Sequence, residues 1–237
     1  ALAKSEQPEA IKILCLACYR PLDQYAWIES IESLDHLLEV RMRLIDEPRA
    51  EKLIARNIAV LGEVSNDVSC AVRAQYEENP YPRWVKAGIQ VKPKSISEVF
   101  DETSLMLHSE TIKNTTEPLI LVAGCGTGQH SIGTASRFSG CKVTAVDLSL
   151  ASLAFAQRKT DELLFHNVEY LQADILELHR LEKKFDIIES SGVLHHMEEP
   201  MVGWEILTAL LKPDGLMRIG LYSELARRHI VKIRKEI

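Results

Sequence analysis

Leu119-Ile-Leu-Val-Ala-Gly-Cys-Gly-Thr-Gly128 is the stretch on which the fold turns. An apolar run with β character enters three glycines at alternate positions, and a helix-compatible stretch from Gln129 to Phe138 follows at once. The order is strand, tight turn, helix start. Glycine suits such a turn because it adopts positive φ freely and lets a ligand approach the backbone with no Cβ in the way. The N–H groups of the turn and helix start are expected to face whatever sits above the strand tip, which makes a nucleotide-like ligand the natural candidate. The spacing narrows the choice. A dinucleotide fingerprint reads G-x-G-x-x-G, whereas Gly124, Gly126 and Gly128 give G-x-G-x-G and Gln129 stands where the third dinucleotide glycine belongs.

Downstream the chain alternates. Lys142 to Val146 reads as a strand ending in Asp147, Ser149 to Leu164 as an amphipathic helix, and Val168 to Leu171 as a short strand before Gln-Ala-Asp174. Phe185 to Glu189 reads as a strand, Met201 to Leu211 as a helix, and Leu216 to Tyr222 as a strand after the turn Lys-Pro-Asp-Gly215. Strands separated by helices mean βαβ units with right-handed crossovers. The expected fold is α/β, a Rossmann-like, doubly wound, mostly parallel sheet.

In such sheets the ligand lies beyond the carboxyl ends of the strands, where the strand order reverses. Asp147 stands nineteen positions past Gly128, a distance at which an acid reaches a ribose hydroxyl pair. Asp174 is placed to accept from an exocyclic adenine amine while the Ile175 N–H meets a ring nitrogen. Glu189-Ser-Ser-Gly-Val-Leu-His-His196 is expected to wall the reacting end. Each has a plainer reading: Asp147 or Ser149 as a helix N-cap, Asp174 as a turn residue, and His195 and His196 as surface or cap residues. As metal ligands the two histidines lack partners at recognisable spacing, so no metal is expected. Order and spacing after the glycine turn carry the case.

Upstream, Pro8 to about Asn79 is patterned as three or four helices. Trp27, Ile28, Ile31, Leu34 and Leu38 recur at three- and four-residue steps, then Leu53, Ile54, Ile58 and Leu61, then Val68, Val72 and Tyr76. Breaks are expected at Pro21, at Asp46-Glu-Pro48 and from Gly62 to Asp67, with Ser65 or Asn66 as the next cap. Tyr76-Glu-Glu-Asn-Pro-Tyr-Pro-Arg-Trp84 is a stiff loop in which aromatic, acidic and guanidinium groups alternate. It reads either as a pocket wall or as an ordered connector. Residues 85–117 hold one weak helix around Ser97 to Leu107. The expected division is a helical region over 1–79, a linker and loop segment over 80–117, and a cofactor-binding domain over 118–237.

A chain of 237 residues, 46% hydrophobic and 26% charged, is long and apolar enough to bury a full core. Its net charge of −6 provides no global basic field to gather phosphates, so no nucleic-acid partner is expected. No uncharged apolar run approaches a membrane span, and five cysteines, an odd number without disulfide rhythm, suit a reducing compartment. A cytoplasmic location and no membrane partner are the expectations. Cys15-Leu-Ala-Cys18 matches C-x-x-C, yet it sits in an apolar helix-like run with no second ligand pair.

Taken together, Val-Ala-Gly-Cys-Gly-Thr-Gly, Val-Asp-Leu-Ser, Gln-Ala-Asp-Ile, Phe-Asp-Ile-Ile-Glu-Ser-Ser-Gly-Val-Leu-His-His and Leu-Lys-Pro-Asp-Gly-Leu resemble the successive motifs of class I S-adenosylmethionine-dependent methyltransferases. The resemblance covers Leu119 to Tyr222, about half of the chain. The loop ahead of it is similar to that of bacterial methyltransferases carrying tetratricopeptide-like helices upstream. The resemblance implies that Gly124, Cys125, Gly126, Thr127 and Gly128 cradle the amino acid part of S-adenosyl-L-methionine, that Asp147 and Leu148 hold the ribose, and that Asp174 and Ile175 read the adenine. Two departures stand out. Val122 occupies the place of the family's usual acid, with Glu189 or a backbone carbonyl as substitutes and Ser190 beside it, and the chain runs into a basic helix, Glu224 to Ile237, in place of a final antiparallel hairpin.

The resulting expectation is methyl transfer to a small molecule, with His195 as the base because an imidazole accepts protons near neutrality. Tyr81, Arg83, Trp84 and His196 are the substrate-side candidates. Two other classes stay open: a nicotinamide-dependent oxidoreductase, and a non-catalytic cofactor-binding module whose N-terminal helices recruit a protein partner.

Overall fold

The computed structural model describes residues 7–31, 36–103 and 105–234, and the chain divides into two compact units, 1–57 and 58–237. The first unit contains α1 (Ala10–Ala17), two 3-10 turns (Leu22–Gln24 and Ala26–Ser30), α2 (Leu38–Arg41) and α3 (Glu47–Ala55) around Ile13, Leu22, Ile28, Ile31 and Ile45. The Trp27-to-Leu38 periodicity is realised as short turns rather than one long helix, and Leu34 lies outside the described residues. No break occurs at Pro48. The helix runs on from Leu38 to Ala55 because a π-helical turn, Met42–Asp46, precedes α3. Wider π spacing removes the need for the N–H that proline lacks.

The second unit is a six-stranded parallel sheet: β1 (Ala59–Leu61), β2 (Leu119–Ala123), β3 (Lys142–Asp147), β4 (Val168–Ala173), β5 (Phe185–Ser191) and β6 (Leu211–Gly220), in the order β1-β4-β3-β2-β5-β6. Its helices are α4 (Asp67–Glu78), α5 (Ile96–Asp101), α6 (Glu110–Lys113), α7 (Gln129–Arg137), α8 (Leu150–Glu162), α9 (Pro200–Ala209) and α10 (Glu224–Arg234). In β2 the residues alternate between two cores. Ile120 and Val122 join Ala135 of α7 and Leu153 and Ala156 of α8; Leu121 and Ala123 join Ile188 and Leu207 on the other face. Both faces are covered, so the strand reads as a continuous apolar run. Among the described residues, no helix is long and apolar enough to cross a membrane.

Several elements depart from expectation. Ile58 and Leu61 fit the helical period, yet 59–61 forms β1, a parallel edge strand on β4. The second compact unit begins at Ile58. The Asn66 side chain, rather than that of Ser65, caps α4 by accepting from Ser69 N at 3.0 Å. The weak helix stops at Asp101; Ser95 and Glu98 close its start as a reciprocal capping box. Strand β6 starts at Leu211, the expected end of the helix before it, and takes up the expected turn, Lys212 to Gly215, as an irregularity: Leu211 pairs with Phe185, and Leu216 pairs with Ile187.

Candidate functional site

The strand order reverses between β2 and β5, and a cavity of about 340 Å³ opens above the carboxyl ends of these strands and of β3 and β4. The glycine turn forms its floor. Gly126 has φ +53° and donates its N–H to Asp147 Oδ2 at 2.8 Å, with only the Tyr81 carbonyl, at 4.0 Å, near the place where a Cβ would stand. Gly128 has φ +82°, and a Cβ there would lie 2.5 Å from the Ala156 Cβ and 2.8 Å from the Tyr170 hydroxyl. Gly126 keeps the site open, whereas Gly128 lets α7 approach α8 and β4. Gly128 is not among the residues that line the cavity.

The turn N–H groups are also less free than expected. Those of Gly124 and Cys125 reach Val146 O at 2.8 and 2.9 Å, and that of Gly128 reaches Cys125 O at 3.0 Å. They fix the turn on the sheet rather than meeting a ligand. Donors for a ligand must come from Thr127 and from the first turn of α7, whose N–H groups have no intrahelical acceptor.

Asp147 and Asp174 open onto this same cavity, together with Leu148 and Ile175. Asp147 Oδ1 accepts from Ser149 N at 3.0 Å, and its Oδ2 accepts from Gly126, so each oxygen retains acceptor capacity. Burial raises the Asp147 pKa, against backbone N–H donation from Ser149, Gly126 and Leu148. Asp174, almost wholly buried, caps the turn Ile175–Arg180 through Leu176 N at 3.0 Å. The same carboxylate that caps this turn also lines the cavity. Cys125 also lines the cavity, and burial and the Asp147 charge push its thiol well above the usual range, which favours the protonated form.

Helix α4 closes the cavity from the side through Ser69, Val72 and Tyr76. Nothing in the sequence marks this face except its i, i+3, i+7 spacing. Glu77 holds the helix there: its two carboxylate oxygens accept from Leu150 N at 2.7 Å and Ala151 N at 3.0 Å, capping α8. The loop after α4 is clamped to the glycine turn, with Thr127 Oγ1 donating to Pro82 O at 2.7 Å and Trp84 Nε1 to Thr127 O at 2.9 Å.

Tyr81 and His196 line the cavity, whereas Arg83, Trp84 and His195 are not among its lining residues. Trp84 is buried edge-on against Phe155, and Arg83 lies over the same ring at 4.6 Å, so both serve the clamp rather than the cavity wall. His195 lies behind His196, its ring 4.2 Å from those of His196 and Tyr222, and its two nitrogens are buried without hydrogen-bond partners among the described residues. Burial lowers its pKa, and His196 and Arg227 push the same way. Of the pair, His196 is the imidazole that reaches the cavity.

Glu189 and Ser190 are buried in β5 and do not line the cavity. The Ser190 hydroxyl has no partner among the described residues. Glu189 is surrounded by donors: His130 Nε2 at 2.9 Å, the Thr134 hydroxyl, Arg137 at 3.4 Å and Arg218 at 3.5 Å. Burial works to raise its pKa, but the hydrogen bond and charge of His130, then Thr134 and Arg137, outweigh it and hold the group at about 2. His130, absent from the expected set, is the member of this cluster that lines the cavity. Its signal was legible as a polar stripe, His130, Thr134 and Arg137, along one side of α7.

Residues 120–215 match the family model described as a methyltransferase domain. Over 121 residues the chain is 34% identical to an uncharacterized protein of Synechococcus, covering 51% of this chain and 29% of that protein. It is 31% identical over 98 residues to (S)-coclaurine N-methyltransferase of Papaver somniferum, covering 41% of this chain and 28% of that enzyme. The chain thus covers under a third of the length of these two relatives. Among solved structures, magnesium protoporphyrin IX methyltransferase from Synechocystis PCC 6803 with bound SAH aligns at a TM-score of 0.48 and 19% identity, covering 72% of this chain and 80% of that one.

Proposed function

We propose that this chain, whose residues 120–215 match a family model described as a methyltransferase domain, is a class I S-adenosylmethionine-dependent methyltransferase that binds S-adenosyl-L-methionine above β2 to β5 and transfers its methyl group to a nucleophile on a small molecule. The observation that carries the reading is the convergence of the glycine turn, Asp147 and Asp174 on one cavity. Its volume of about 340 Å³ falls within the roughly 300–1,000 Å³ typical of small-molecule sites. Asp147 accepts from the ribose hydroxyls, Asp174 and the Ile175 N–H read the adenine, and the floor from Gly124 to Thr127 receives the amino acid end.

The sulfonium brings its own activation: the S–CH₃ bond breaks as the methyl carbon bonds to the acceptor, and the electron pair returns to sulfur. The residues of this chain supply placement and exclusion of water. Where the acceptor starts protonated, His196 takes the proton, with the His195 ring tilted against it at 4.2 Å, and Tyr81 lies beside the acceptor. We assign the N-terminal helices to a protein partner. We assign the chain to the cytoplasm, on its odd, unpatterned cysteines.

Calorimetric titration with S-adenosylhomocysteine and with NAD tests the reading. The homocysteine adduct is expected to bind and NAD is not, since Gln129 replaces the third dinucleotide glycine. Asp147→Ala is expected to weaken the adduct at least about a hundredfold, as two hydrogen bonds to a charged group are lost. Unchanged affinity, or preference for NAD, refutes the assignment.

A further inference from the structure

Resting on the S-adenosylmethionine reading, we propose that the methyl acceptor is an uncharged aromatic hydroxyl compound, and that Val72 and Met197 are the residues that select it. The two ends of α4 mark the two ends of the cavity. At its start Asn66 Nδ2 donates to Glu198 Oε2 at 3.3 Å, beyond β5; at its finish Glu77 caps α8, beyond β3. Ser69 and Val72, in the first half of the helix, therefore share the acceptor side with Tyr81, Val193, His196 and Met197, whereas Asp147 and Asp174 close β3 and β4 on the adenosine side.

The acceptor side offers no fixed charge to a substrate. No lysine, arginine or glutamate is among the residues that line the cavity, and His130 is already bonded to Glu189 at 2.9 Å. Backbone donors there are spent as well: the N–H groups of Gly192, His196 and Met197 reach Gly220 O at 3.0 Å, Val193 O at 2.8 Å and Leu194 O at 3.1 Å. Glu198 is exposed, is held by Asn66 and does not line the cavity. A carboxylate, phosphate or ammonium entering here would lose water and gain no partner, a cost that excludes it. The acceptor arrives neutral.

The base then sets its chemistry. An unperturbed imidazole titrates at about 6.5 and a phenolic hydroxyl at about 10, whereas water stands at about 15.7. An imidazole such as His196 can therefore take the proton of an aromatic hydroxyl as the methyl group arrives, but not that of an aliphatic one. The O–H bond breaks toward the imidazole, the oxygen bonds the methyl carbon, and the S–CH₃ electron pair returns to sulfur. An aryl methyl ether, the homocysteine adduct and an imidazolium result, and the imidazolium gives its proton to water. The walls suit a ring: Val72 and Met197 are half-buried and offer apolar and thioether surface, and Tyr81, 75% exposed, adds an aromatic side chain at the mouth.

Calorimetry on protein saturated with S-adenosylhomocysteine tests this without turnover, using 4-methylphenol, 4-methylbenzoate and 4-methylbenzylamine at pH 7. The phenol is expected to bind at least about tenfold tighter than either charged compound. Val72→Lys is expected to reverse the order of phenol and benzoate while keeping the affinity for the adduct within about threefold; Met197→Lys repeats the test should the first variant fail to fold. With labelled donor, 4-methylphenol is expected to be methylated and 4-methylcyclohexanol is not. A charged compound that binds as well as the phenol, binding of none of the three, an order unchanged by the lysine, or methylation of the cyclohexanol overturns the acceptor assignment and leaves the cofactor reading standing. Failure of the unaltered protein to bind S-adenosylhomocysteine overturns the cofactor reading, and this inference with it.

Discussion

Glu189→Gln tests the electrostatics on which the site is mounted. The wild-type carboxylate is held at about 2 against an ordinary value of 4.5, and one pKa unit corresponds to about 1.4 kcal/mol of preference for the charged form. Its folded-state pKa is depressed, so the stabilisation is present above pH 4.5 and is lost as pH falls toward 2. The linkage gives about 3 kcal/mol at pH 7 and about 1 kcal/mol at pH 3. Arg218 is 60% exposed and contributes little of this; His130, Thr134 and Arg137 contribute most. Glutamine mimics the protonated form in shape, so the variant should lose the pH 7 amount. For a unit of this size that corresponds to a fall in Tm of roughly 6 to 12 °C. Thermal unfolding of both proteins at pH 7, 5, 4 and 3 checks it: the gap is expected to hold to pH 5 and to shrink by about two thirds at pH 3. A gap that is absent at pH 7, or of equal size at pH 7 and pH 3, refutes the account of Glu189.

The two remaining tests concern the turn and the base. Gly128→Ala combines a left-handed φ of +82° with a contact of 2.5 Å to Ala156, so a loss of roughly 2–4 kcal/mol is expected in urea unfolding; Gly126→Ala, which meets only a carbonyl at 4.0 Å, should lose less stability and more cofactor affinity. His196→Ala is expected to lower the rate of methyl transfer to a protonated acceptor, followed with labelled donor, by about 10²–10⁴-fold with cofactor affinity unchanged. An equal or greater effect from His195→Ala would return the base role to that residue.

The sheet was legible because a buried parallel strand leaves two plain marks, an apolar run and a turn residue at its tip. Leu119 to Ala123, Lys142 to Asp147 and Phe185 to Ser191 all carry them. Strand β1 does not: three residues at a sheet edge, with Val60 59% exposed, show no period that distinguishes them from the helix before. Pro48 was misread because proline's cost depends on the spacing of the preceding turn, and a π turn has no signature in single residues. Asp147 and Asp174 were placed because each closes its own strand. The face of α4 was not, because only its tertiary seat, fixed by Glu77 on α8, turns a common helical stripe into a cavity wall.

The acid missing from Val122 shows where sequence order stops being a guide to chemistry. Along the chain Glu189 is remote from the glycine turn, yet in the sheet it is the registered neighbour of the residue two positions before the first glycine. A parallel sheet places side chains by register and face, so a charge needed on that face can be supplied by either strand. Moving it has a consequence. A carboxylate on β5 lies beneath α7 rather than at the rim, so it can act on a ligand only through the helix that covers it. The polar stripe on α7 meets that carboxylate: Thr134 and Arg137 offset the cost of burying the charge, and His130, which also lines the cavity, bonds to it at 2.9 Å. Glu189 and His130 therefore belong to one coupled cluster: His130→Ala takes from the buried carboxylate its partner at 2.9 Å and is expected to lower stability as well.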